Sequence, residues 1–309
     1  MLVKMRDPTL SNPFVVGEPI SGDSIFVGRQ SIFGWLQEKS RNREGSTPLI
    51  LEGMPGIGKS SILKQVMSGR LGVGIIPVFI DLIDMPTDNL SDFLWSIAKS
   101  TMRSLELIRI HEPSLEKRLL VLRPWQAFYQ HFWQYIPQVI GEQTLVFAFD
   151  NFNALISNRR DYDELAALRQ RLFSLFNSQD NVRILVTLIG RFEAFDPMNL
   201  APFQNALNLR VPAFTLDEVT DLLRQAGSFP IFSDLLAYIY ELTGGHPGDI
   251  QRLCHTLHEQ GRVRKLRQIT IADIVFTLEN QFQPRDFDTA VYRRKAEHTI
   301  LLPERFAGA

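Results

Sequence analysis

Gly53-Met54-Pro55-Gly56-Ile57-Gly58-Lys59-Ser60 decides the reading of this chain. The spacing fits G-x-x-x-x-G-K-[ST], in which glycines let backbone N–H groups converge on phosphate oxygens without a Cβ in the way. The apolar run Pro48-Leu49-Ile50-Leu51-Glu52 precedes it, bounded by turn signals, and reads as a buried parallel strand. The spacing after it predicts a helix over 59–68, whose positive end faces the same phosphates. In this context Gly53, Pro55, Gly56, Ile57, Gly58, Lys59, Ser60 and Ser61 are candidate nucleotide contacts. Lys59 would neutralise the β/γ-phosphates, and the Ser60 hydroxyl would hold Mg²⁺.

Further strands are expected at 74–82, 144–150, 182–188 and 207–211. They alternate with helices at 31–40 and 162–176 and with a helical stretch over 90–140 that Pro113, Pro124 and Pro137 divide. Alternation of this kind argues for a parallel sheet covered on both faces. The hydrophobic strand 144–150 ends in Asp150. Parallel sheets bind ligands at the carboxyl ends of their strands, so Asp150 is a second candidate Mg²⁺ holder beside Ser60. From Thr215 onward the pattern is helical only, with Thr215 as an N-cap before Asp217 and Glu218.

Asn151 follows the strand-end acid. An amide orients a water but cannot take its proton at neutral pH. Two readings stay open: hydrolysis is slow, or another acid serves, with Asp81, Asp161, Asp163 and Glu164 as candidates.

Other function classes are bounded by composition. Lys+Arg of 33 against Asp+Glu of 34 leaves a net charge of −1, which disfavours nucleic-acid binding by bulk charge. Cys254 is the single cysteine, so no internal disulfide or cysteine metal cage forms. His255 and His258 lack a third ligand nearby. No apolar stretch approaches bilayer length and the N-terminus lacks an apolar h-region, so a cytoplasmic protein without membrane contact is expected. Helical spacing of Trp125, Phe128, Phe132 and Trp133 reads as core packing. Arg262, Arg264, Lys265 and Arg267, like Arg293, Arg294 and Lys295, leave two readings, a solvated turn, which is favoured, or a contact to a phosphate backbone; Arg210 reads as a strand-end residue before an arginine finger acting in trans.

Several segments resemble STAND-type and AAA-like ATPases. Asn12-Pro13-Phe14, Gly17-Glu18-Pro19-Ile20 and Phe26-Val27-Gly28-Arg29 resemble the family's N-terminal box, which lines the adenine pocket. Gly245-His246-Pro247 looks like the G-x-P motif of the helical lid, whose proline packs near the base. Ile184-Leu185-Val186-Thr187 with Arg191 resembles the sensor segment that ends in an arginine, with Leu188-Ile189-Gly190 intervening. The resemblance covers about residues 12–283. Gly248 to Cys254 also looks like the lid helix of transposition-regulator and secretion-type AAA+ ATPases, and is loosely similar to origin-recognition ATPases, in which an arginine here senses the γ-phosphate. Arg252 stands at that place, either in that role or as a residue that faces solvent.

The resemblance implies a P-loop NTPase of α/β class: a three-layer α/β/α core with a parallel sheet plus an all-helical lid. The expected divisions are 1–24 (lead-in with the adenine-pocket box), 25–214 (core), 215–283 (lid) and 284–309 (tail). Its implied ligands are ATP and Mg²⁺, with ATP between core and lid. Catalytic candidates are Lys59, Asp150, Asn151, Thr187 and Arg191, and base-side contacts are Phe26, Val27, Gly28, Arg29 and Pro247. The implied function is a regulatory ATPase switch that docks a protein partner or oligomerises, with slow hydrolysis expected from Asn151. Residues 284–309 are too few for an output domain. The alternatives are a DNA-associated AAA+ regulator and a non-hydrolysing nucleotide-binding scaffold. Asn151 departs from the family's acid, and the long span from Lys59 to Asp150 suggests an insertion near 108–138 that contacts a partner.

Overall fold

A computed structural model describes residues 11–22, 24–41, 47–86, 89–106, 117, 123–156, 162–195, 203, 205–227, 233–266 and 268–282. These fall into two compact units. The first holds Arg29–Pro55 and Lys59–Val211. The second holds the described residues up to Gly28, the loop tip Gly56–Gly58, and the described residues from Pro212 onward. The segment around Phe26 and Val27 therefore groups with the helical unit, whereas the sequence places it at the start of the core.

The first unit is built on five parallel strands: β1 (Leu49–Gly53), β2 (Ile75–Asp81), β3 (Thr144–Asp150), β4 (Val182–Ile189) and β5 (Leu207–Arg210), in the order β2-β3-β4-β1-β5. Its helices are α1 (Gln30–Arg41), α2 (Lys59–Gln65), α3 (Leu90–Ser104), α4 (Pro124–His131), α5 (Ile136–Ile140), α6 (Asn153–Ile156) and α7 (Tyr162–Asn177). Helix α2 is shorter than expected: it widens into a turn over Val66–Arg70, where Gly69 takes φ 84°.

Side-chain alternation sorts the strands onto two layers. Leu145, Phe147 and Phe149 of β3, and Val182, Ile184, Val186 and Leu188 of β4, enter one buried cluster with α3, α4, α5 and α7. There Phe147 stacks on Phe176 with centroids 4.3 Å apart, and Trp133 lies 4.9 Å from Phe176. The intervening residues Val146, Ala148 and Leu185 are buried on the opposite face, where α1 and α2 meet β3. On that face Lys64 of α2 lies 3.7 Å over the Phe79 ring of β2.

The prolines divide the 90–140 stretch by starting helices: Pro124 and Pro137 sit in the first turns of α4 and α5, where a missing N–H costs nothing. Pro113 lies outside the described residues. Phe128, Phe132 and Trp133 are buried in the core and Trp125 packs against it, as their spacing predicts. The described part of the expected insertion, from Pro124, therefore closes the sheet's core and does not stand out as a separate face.

The second unit contains α8 (Leu216–Ala226), α9 (Ser233–Thr243), α10 (Pro247–Arg264) and α11 (Ile271–Gln281). Thr215 and Glu218 form a capping box on α8, as do Thr270 and Asp273 on α11. The unit's core includes Val219, Leu222, Tyr238, Ile250, Leu253 and Cys254, joined by Phe14 and Val27. The N-terminal segment runs along α10: Asn12 Nδ2 donates to His255 O and Glu259 Oε1, and Val15 N donates to Gln251 Oε1.

Candidate functional site

The alternation that builds the core also gathers the site. On β3 the residues facing α2 are Val146 and Ala148, so Asp150 faces the same way. On β4 the same logic carries Thr187, and on β2 it carries Asp81 across from Asp150. Three polar side chains thus meet at the carboxyl ends of three adjacent strands. β4 lies between β1 and β3, so Asp150 reaches the phosphate loop across one intervening strand.

Asp150 is 2% exposed. Its Oδ1 accepts hydrogen bonds from the Thr187 hydroxyl and from Asn151 N at 3.1 Å. No described group bonds its Oδ2. Asn151 N also donates to Thr187 Oγ1 at 3.0 Å. Asn151 holds φ 57°, a left-handed conformation that asparagine tolerates better than most residues. Its side-chain amide donates to Asp81 Oδ1 at 2.9 Å, and Ile83 N donates to the same oxygen at 3.0 Å. Among the acids offered in place of a residue-151 carboxylate, Asp81 is therefore in the site. Asp161 and the side chains of Asp163 and Glu164 lie outside the described residues.

Lys59 begins α2, and its Nζ donates to the carbonyl oxygens of Gly53 and Met54, each at 2.8 Å. Burial pushes the ammonium down to about 8, partly opposed by the Asp150 carboxylate, which favours its charged form. That opposition places the Asp150 charge within reach of the loop. Ser60 and Ser61 are half-buried at the start of α2, Ile57 is buried, and Pro55 is exposed.

These residues fit Mg²⁺. That ion keeps several waters and takes one or two protein oxygens plus phosphates, which matches one carboxylate with an oxygen to spare and one hydroxyl. An all-protein cage does not fit: among the described residues no group of three or more His, Cys, Asp or Glu could hold a metal.

Within the second unit, Gly248 N donates to Gly56 O at 3.0 Å. Gly56 takes φ 77°, which disfavours any side chain, and a Cβ there would meet the His246 ring. His246 caps α10, and Pro247 is buried at its first turn. Gly245 takes φ 73° while its carbonyl accepts from Phe214 N at 2.8 Å. Val27 is buried in this unit's core, Phe26 and Gly28 are half-buried, and Gly28 takes φ 66°. Arg29, in the first unit, is buried with its carbonyl accepting from Phe33 N of α1.

Other candidates stand apart from these groups. Arg191 is exposed on the turn after β4, and Arg210 is exposed at the end of β5. Arg252 pairs with Asp249 at 3.2 Å and lies over the Phe282 ring. Arg262 pairs with Glu259 and Arg264 with Asp273, while Lys265 ends α10. Arg267, Arg293, Arg294 and Lys295 lie outside the described residues. Burial pushes the Cys254 thiol up to about 12, as expected of an inert core residue.

Two residues were not anticipated from the sequence. Glu52 is 5% exposed, and its Oε2 accepts from Phe192 N at 2.7 Å, tying the phosphate-loop strand to the segment after β4. Asn153 clamps the end of β4, donating to Ile189 O and accepting from Ile189 N. A carboxylate next to the phosphate loop inside an apolar strand was the available signal for Glu52. Nothing local marked Asn153.

No described helix is long and apolar enough to cross a membrane. No family model matches the chain, and no curated protein matches it. Solved structures do share its fold. A Walker-type ATPase of Pyrococcus abyssi aligns with TM-score 0.59 at 16% identity, covering 93% of this chain and 79% of that one. The Cdc6 protein of Pyrobaculum aerophilum aligns with TM-score 0.55 at 15% identity, covering 82% and 67%. The Aeropyrum pernix Orc1 protein, solved in complex with DNA, aligns with TM-score 0.53 at 14% identity, covering 92% and 80%. The fold is thus the P-loop NTPase α/β arrangement with a helical second part.

Proposed function

We propose that this chain is an ATP-binding switch of the AAA+ type, with Mg²⁺ as its metal and with slow hydrolysis. The observation that carries the reading is the convergence of Asp150, Asn151 and Thr187 at the strand ends with Lys59, at the start of α2, beside a loop of the full G-x-x-x-x-G-K-[ST] pattern. In it the loop amides and Lys59 would bind the phosphates, and Ser60 and Asp150 would hold Mg²⁺. The metal, when bound, neutralises charge developing on the phosphates. Thr187 engages Asp150 Oδ1 and leaves Oδ2 as the oxygen that would hold Mg²⁺.

Asn151 accounts for slow turnover: it orients water but takes no proton. Loss of a general base costs about 10²–10⁴-fold, which from a typical kcat of about 10 s⁻¹ leaves about 10⁻³–10⁻¹ s⁻¹. Phosphate release by the purified protein with Mg·ATP tests this, and turnover near 10 s⁻¹ refutes it. The switch reading draws on the likeness of the G-x-P segment to STAND-type ATPases. In it, Gly56 and α10, joined by the Gly248–Gly56 hydrogen bond, pass nucleotide state to the helical unit, which docks a protein partner or a second copy.

A second reading is a DNA-associated AAA+ regulator, favoured by the shared fold with an Orc1 protein solved on DNA. Against it, Arg262 and Arg264 are already paired with acids and the net charge is −1. ATP-dependent oligomerisation with and without duplex DNA separates the two. DNA-stimulated assembly with steep salt dependence supports the second reading.

A further inference from the structure

Asn151 and Asp81 stand on neighbouring strand ends with the amide and the acid in contact. A carboxylate only accepts hydrogen bonds, so the Asn151 side chain must turn its NH₂ toward Asp81. Its carbonyl Oδ1 then faces away from Asp81, and no described group bonds it. Asp81 is itself fixed, because its Oδ1 also accepts Ile83 N at 3.0 Å. The backbone at Asn151 is left-handed and is held by bonds from its N–H to Asp150 and Thr187.

We infer that Asp81 is a positioning residue for ATP hydrolysis: it locks the Asn151 carboxamide with Oδ1 set to accept a hydrogen bond from the attacking water. This rests on the ATPase reading above and names how that site handles water without an acid at position 151. In the step, the water oxygen bonds the γ-phosphorus and the bond to the bridging oxygen breaks. The electron pair leaves on ADP, and the water proton passes to a γ-phosphate oxygen. Asp81 takes no proton; it acts through Asn151.

The test is single-turnover phosphate release with protein in excess over Mg·ATP, alongside equilibrium ATP affinity, for wild type, Asp81→Ala and Asp81→Asn. Asp81→Ala removes the acceptor and is expected to lower the rate about 10-fold or more with affinity unchanged. Asp81→Asn retains a carbonyl acceptor and is expected to stay within about 3-fold of wild type, since a neutral hydrogen bond replaces a charge-assisted one. An Asp81→Ala rate equal to wild type overturns the inference. So does an Asp81→Asn rate as low as that of Asp81→Ala, because the carboxylate would then be needed as a base that takes the water proton.

Where wild-type release is too slow to read, the exchanged pair carries the test. Asp81→Asn with Asn151→Asp restores an amide–acid contact with the acid now at position 151. It is expected to release phosphate at least about 10-fold faster than Asp81→Ala with Asn151→Asp, in which the contact is missing. Equal rates, or none in either, overturn the inference. ATP affinity that survives Lys59→Ala would instead fail the ATPase reading itself, so the two failures are distinguishable.

Discussion

Lys59 Nζ donates to the carbonyl oxygen of Gly53 at 2.8 Å, bridging the loop whose two ends these residues mark. The ammonium is buried among carbonyls, and burial lowers it to about 8 from 10.5. A depressed lysine is a liability to the fold while it is charged. Its cost is therefore fully present below about pH 8 and lifts as pH rises toward 10.5.

Binding has the opposite sign. Phosphate contacts need the ammonium, so ATP affinity should fall as pH rises above about 8, and ATP should raise the Lys59 pKa when bound. Calorimetry near pH 9 in two buffers of different ionisation enthalpy should show net proton uptake on ATP binding. Binding without uptake would contradict this account of Lys59.

Thr187→Val keeps the shape of the side chain and removes its hydroxyl. The buried Asp150 loses a donor and Asn151 N loses one of its two acceptors. The expected cost is about 1–3 kcal/mol in denaturant unfolding, with weaker Mg²⁺-dependent ATP binding. Thr187→Ser should recover most of both.

Phe176 is fully buried, stacked on Phe147 and beside Trp133. Phe176→Ala should cost about 3–5 kcal/mol. Tyr135 is 50% exposed, and Tyr135→Ala should stay within about 0.5 kcal/mol. Chemical denaturation of both variants checks the assignment of this cluster as the core.

Two glycines should respond in opposite directions to alanine. Gly245 takes φ 73° and a Cβ there would strike the Phe214 carbonyl oxygen, so Gly245→Ala should destabilise by more than about 1 kcal/mol. Gly34 lies inside α1 with nothing near its Cβ position, so Gly34→Ala should stabilise by about 0.5–1 kcal/mol. Thermal unfolding reads both.

The strands were legible because each is a short apolar run between turn residues, and Thr144–Asp150 falls where the sequence placed it. The strand, glycine loop and helix around Gly53–Ser60 were legible because the signal is local. Strand order was not, since periodicity carries no information on which strand neighbours which. That is why Asp81 was only one acid among four until β2 was seen beside β3. The grouping of Phe14 and Val27 with the helical unit was hidden for the same reason: their partners on α10 lie more than two hundred residues away. Glu52 and Asn153 act on backbone groups after β4, and such contacts leave no motif.

The most direct test of the central claim is equilibrium binding of Mg·ATP to wild type and Lys59→Ala, with thermal unfolding as the check that the variant folds. Lys59→Ala should remain folded, because the substitution removes a buried charge, and should bind ATP at least about 10-fold more weakly, ~1.5–3 kcal/mol for one charge-assisted contact. Undiminished affinity in a folded Lys59→Ala protein would contradict the assignment of this loop as the nucleotide site.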